Sequence, residues 1–115
     1  MKDNLICISH DRCHILRFKV LGSWLSRLVG LLGSDARAEP VALDPCSSIH
    51  TWFMRYAIDV ALVAKDGRVM ASYRNVPPCR LVSCRGAQRV LERPSQLSFW
   101  PEKNDMLSMR LVREA

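Results

Sequence analysis

The stretch from Ile58 to Tyr73 constrains the fold more than any other. Residues 58–64 form an apolar run, Lys65-Asp66-Gly67-Arg68 follows, and residues 69–73 lead back out. An Asp-Gly pair between two strand-length segments is a strong short-range hairpin signal, because glycine takes the positive φ such turns demand. Around this hairpin lie further short strand candidates at 5–8, 15–20, 40–43, 88–92 and 106–111. A short helix is expected at 24–32, with Ser23 as N-cap and Gly33 as stop. Its Trp24, Leu25, Leu28, Leu31 and Leu32 share one face. Many short strands and one helix predict a mostly β chain, α+β at the margin, folded as a compact sandwich or partly open barrel.

Length and composition narrow the class. With 115 residues, 49% apolar and 24% charged, the chain suits one globular domain spanning 1–115. Disordered tails, coiled coils and collagen-like chains are excluded. The apolar stretch at 21–32 is broken by Gly22, Ser23, Ser26, Arg27 and Gly30. That is too short and too polar for a membrane span, which takes about 20 apolar residues. Met1-Lys2-Asp3-Asn4 lacks the basic and apolar regions of a secretory signal, so a cytoplasmic location is expected. Five cysteines are an odd count, and in that compartment they are expected to be reduced thiols.

The net charge of +6 is carried almost wholly by arginine, 13 Arg against 4 Lys. Arg68, Arg74, Arg80, Arg85, Arg89 and Arg93 fall close together, opposed only by Glu92. Two readings stay open. On one face they form an anion-attracting patch; otherwise they are solvated strand tips pointing several ways.

Two segments carry a family resemblance: Arg27-Leu28-Val29-Gly30-Leu31, and Ile49-His50-Thr51-Trp52-Phe53-Met54-Arg55-Tyr56-Ala57-Ile58-Asp59-Val60. With the Asp66-Gly67 turn, the connection Val76-Pro77-Pro78-Cys79-Arg80 and Val90-Leu91-Glu92, the chain resembles the domain of unknown function 192 family, also called uncharacterised protein family 0127. The resemblance covers about 15–112, leaving 1–14 as an extension or edge strand. Ala57 replaces the family's usual proline, Pro94-Ser95-Gln96 a Pro-Ala-Gly-like turn, and Asn104-Asp105 a Gly-Asp pair. Those loops are expected to depart from family geometry, since glycine reaches positive φ most cheaply. The resemblance implies a compact β-rich fold with a short helix, no assigned reaction, and a link to pilus or secretion machinery.

Asp59 is the most informative single residue. In an apolar strand, a buried carboxylate needs a partner, and Arg27 and Arg55 are the sequence's candidates, with backbone N–H groups as another solution. It serves either as half of an internal ion pair or as a ligand anchor. Nearby, Cys46, His50, Thr51, Trp52 and Met54 offer a thiol, an imidazole, a hydroxyl and apolar surface. These could wall a pocket; with Asp59, a Cys/His/Asp hydrolase is conceivable, though no nucleophile-elbow pattern appears. Cys7, His10, Cys13 and His14 are too crowded for usual zinc spacing. Cys79 and Cys84 would need Cys46 and His50 nearby to form a metal site. No nucleotide-loop or zinc-protease motif occurs, and Trp24, Trp52 and Trp100 read as core anchors.

The expectation is a non-enzymatic module binding a small ligand or a protein, with no catalytic residue, metal or cofactor assigned. The alternatives are a small thiol- or histidine-dependent hydrolase and an arginine-rich adaptor for nucleic acid or an acidic partner.

Overall fold

The structure, a computed structural model, describes residues 3–21, 39–51 and 54–113. The helix expected at 24–32 lies outside the described residues, among which every regular element is a strand. In order these are β1 (Asp3–Ile8), β2 (Ile15–Leu21), β3 (Val41–Leu43), β4 (Ser48–His50), β5 (Ile58–Val63), β6 (Val69–Val76), β7 (Leu81–Ser83), β8 (Arg89–Pro94) and β9 (Ser108–Arg113). The mostly β expectation therefore holds. Two strands escaped the sequence reading, β4 and β7, which pair with each other as a separate small sheet.

The other seven form one mixed sheet in the order β6-β5-β8-β3-β2-β1-β9. Only β2 and β3 run parallel. At its centre, β5 and β8 show why a continuous apolar run can be a strand. Every residue of β5 is buried, because both of its faces meet protein. Ala61 and Val63 join Leu91, Phe18 and Trp100 in one core cluster, while Ile58, Val60 and Leu62 join Val90, Val41 and Val82 in a second. Each such fully buried side chain contributes about 1.5–3 kcal/mol.

The hairpin forms where the Asp-Gly pair places it. Gly67 has φ +100°, its N–H donates to the Ala64 carbonyl, and Asp66 Oδ1 accepts the Arg68 N–H. This turn also touches the far side of the sheet. Leu107 N–H donates to the Gly67 carbonyl, Val69 N–H to Asp105 O and Asn104 N–H to Val69 O, and Arg68 bridges Met106. The sheet is thus a partly open barrel: the connection leading into β9 bonds the start of β6, and the two outer strands themselves do not pair. Asn104 stands at φ 78°. Asparagine tolerates this left-handed conformation better than most residues.

Candidate functional site

Asp59 lies on β5 directly opposite Arg93 on β8. Strand alternation turns both side chains to the face of Ala61 and Leu91. Arg93 Nε donates to Asp59 Oδ2 at 2.9 Å, and both side chains are almost wholly buried. The rest of the guanidinium is also occupied: Nη1 donates to Phe99 O and Nη2 to Ser98 O, both at 2.8 Å. Its plane carbon sits 4.6 Å from the centre of the Trp100 ring, a desolvated cation–π contact. Asp59 Oδ1 accepts the Asn75 N–H and the Ser95 hydroxyl, each at 3.0 Å, and Oδ2 accepts the more distant Gln96 N–H. Burial pushes this carboxyl upward, but the Asn75 amide, Arg93 and the Ser95 hydroxyl outweigh it and hold it below the usual carboxylate range.

Of the two arginines expected as its partner, Arg55 does not fill that role. Arg55 is exposed, and Arg27 lies outside the described residues, as does Trp52. The partner is Arg93, which the sequence had grouped with five others in a basic patch. The six do not share one exposed face: Arg93 is buried, and Arg89 is half-buried with Nε 2.6 Å from Asp44 Oδ2. Arg68, Arg74, Arg80 and Arg85 are exposed. Arg68 and Arg74 are separated by about 20 Å along their strand. Nothing local in the sequence distinguishes Arg93 from its neighbours; the distinction comes from strand order.

Cys46 and Met54 belong to the other side of β5. Cys46 and Met54 pack with the Ile58, Val60 and Leu62 cluster, whereas Asp59 faces Arg93 and Trp100. Cys46 Sγ–H donates to Ser48 O at 3.2 Å, and His50 ends β4 opposite Leu81 of β7. A Cys/His/Asp constellation would have to cross the sheet. Thr51, fully buried, is a clamp: its hydroxyl donates to Pro77 O and accepts the Arg80 N–H, both at 2.8 Å, pinning the Pro77-Pro78 connection.

All five cysteines are free thiols. Burial pushes the Cys7 thiol up to about 12, only partly countered by the Arg89 charge; such thiols are unreactive. Among the described residues, no three His, Cys, Asp or Glu side chains gather to hold a metal ion. No described helix is long and apolar enough to cross a membrane.

Two hollows lie at the end of β6. One hollow of about 480 Å³ lies over the Asp59 cage, bounded by Tyr56, Arg74, Asn75, Ser95, Gln96 and Leu97. A second, of about 430 Å³, runs between β6 and β7, bounded by Tyr73, Arg74, Asn75, Val76, Arg80 and Val82. Arg74 Nη2 donates to Gln96 O and Ser98 O, which sets its guanidinium across the first hollow's rim. The sequence reading missed Asn75, near the end of β6, and Ser95 and Gln96, just past β8; nothing marks them until β6 and β8 flank β5.

No protein-family model matches the chain, and no curated protein matches it. Two solved structures share its fold. One, a candidate transcription regulator from Sinorhizobium meliloti 1021, superposes with a TM-score of 0.71 over 95% of this chain and 94% of that one, at 18% identity. The other, a protein of unknown function from Novosphingobium aromaticivorans DSM 12444, also gives 0.71 at 18% identity, over 91% of this chain and 83% of that one. At that identity the likeness establishes the fold alone.

Proposed function

We propose that the chain is a non-enzymatic binding module of the domain of unknown function 192 type, recognising its ligand at the two hollows that meet at Arg74 and Asn75. One observation carries this reading. The chain's most reactive-looking carboxylate is fully committed to a buried cage, and that cage supports the Asn75, Ser95 and Gln96 rim of an open hollow. A rim held by buried charge is preorganised, which lowers the ordering cost of binding. The family resemblance extends the reading to partners from pilus or secretion machinery. Titrating the labelled protein with a fragment library while following backbone amide NMR shifts tests the site. Shifts gathered at residues 56–57, 73–76, 80–83 and 95–97 are expected; shifts elsewhere, or none, remove this reading.

A second reading, nucleic-acid binding, draws on exposed Arg68, Arg74, Arg80 and Arg85 and on the fold shared with the candidate transcription regulator. It predicts DNA or RNA retention that falls steeply between roughly 50 and 200 mM salt. Failure to retain either at low salt ends it.

A further inference from the structure

Among the described residues, the outer edge of β6 has no backbone partner where the two hollows meet. β5 pairs with one edge of β6, and on the other the 104–107 connection bonds only its beginning, around Gly67 and Val69. From Met70 to Arg74, no described residue gives that edge a backbone partner. Edge strands left this way are templates for another chain.

The hollows lie on opposite faces of that edge. Tyr73 pairs with Val60 and Val76 with Ile58, so both belong to the face of the second core cluster and border the β6–β7 hollow. Arg74 turns to the other face, where it reaches the Gln96 and Ser98 carbonyls at the hollow above Asp59. Side chains of an added strand alternate between faces. A strand laid along β6 would therefore send neighbouring side chains into the two hollows in turn. The β6–β7 side offers apolar surface, Tyr73 47% and Leu81 69% exposed. Both rims carry arginine, Arg74 on one and on the other Arg80, and no described Asp or Glu lines either hollow.

We propose that β6 receives an extended acidic peptide by strand addition, with an apolar side chain against Tyr73 and Val82 and carboxylates meeting Arg74 and Arg80. Main-chain bonds would supply affinity and the two hollows specificity, the usual division in this mode of recognition. A second copy of the chain is disfavoured as occupant, because edge-to-edge pairing of two β6 strands would gather the Arg74 and Arg80 side chains of both.

This proposal rests on the binding reading above and names its partner. The probe is a capped six-residue peptide, Glu-Val-Glu-Glu-Glu-Val, a common strand length, which puts Glu alone on the Arg74 face and both Val and Glu on the Arg80 face; it is titrated against the intact protein. Expected are amide shifts along 70–76 and slowed hydrogen exchange on that edge. Methylating alternate peptide nitrogens on the bonding side should abolish binding, and Arg80→Glu should weaken it roughly fivefold. Arg80 serves beside Arg74→Glu because Arg74 also braces the 96–98 loop. Peptide binding that tolerates methylation overturns strand addition. Binding indifferent to Arg80→Glu, Arg74→Glu and salt overturns the acidic partner. Sedimentation showing a dimer that buries β6 replaces the peptide with a second copy. Fragment shifts at the hollows without any response to the peptide sink this proposal and spare the binding reading; silence from both sinks the two together.

Discussion

Two buried acids one residue apart in the ladder have their pKa values pushed in opposite directions. Asp59 faces Arg93 across the β5–β8 pair, whereas Glu92, on the other face of β8, lies between Val41 and Val60. No described residue bonds the Glu92 carboxyl group, and burial alone pushes it up to about 8. The folded state therefore holds the Glu92 proton more tightly than the unfolded chain does. Linkage then makes stability fall as pH rises from the ordinary glutamate value of 4.5 towards 8. Asp59 has the opposite sign: its stabilisation is present above 3.8 and is lost as the pH drops through its lowered folded value. Urea unfolding across pH should show greatest stability in mildly acidic solution, and Glu92→Gln should flatten the fall towards pH 8. An unchanged profile in that variant would show that Glu92 is ionised in the fold. Arg93→Met leaves the Asp59 carboxylate buried and uncompensated. It should cost about 3–5 kcal/mol, against less than 1 kcal/mol for an exposed control such as Arg85→Met.

At the scale of elements, the β5–β6 hairpin shows what the sequence can reveal. The signal is local: two apolar runs flank Asp66-Gly67, and the glycine takes φ +100°. A Cβ on Gly67 would also press into the Leu107 carbonyl oxygen, against the backbone of the connection leading into β9. Gly67→Ala should therefore destabilise by about 2–3 kcal/mol, beyond the roughly 1 kcal/mol of an unfavourable φ alone. Thermal melts measure it. By contrast, β4 and β7 have three residues each and mix serine with apolar side chains, too little for a period to emerge. The Asp59 partner was hidden for a different reason. Thirty-four positions separate it from Arg93, and only the insertion of β8 beside β5 makes them neighbours. The sequence showed that Asp59 needed a partner, but the choice among arginines belongs to strand order.

For the whole molecule, stability should be unevenly distributed. Strands β5 and β8 are paired on both edges and buried on both faces, whereas β4 and β7 have only each other. Amide exchange should accordingly reach β5 and β8 only through global unfolding, while Ile49 and Val82 exchange through local opening. Equal protection in both sheets would mean that the small sheet is part of one cooperative unit. A further consequence follows from the β1–β9 ladder, in which Asp3 stands directly opposite Arg113. Such partners lie about 5 Å apart, so a short Gly-Asn-type loop can join them. Opening the exposed turn around Arg12 would then yield a circular permutant whose β9 and β1 form an ordinary hairpin. The β1–β9 pairing then becomes local while the β1–β2 pairing becomes distant, so the rearranged molecule should keep the same sheet and a similar folding rate, with β1 docking first on β9 instead of β2.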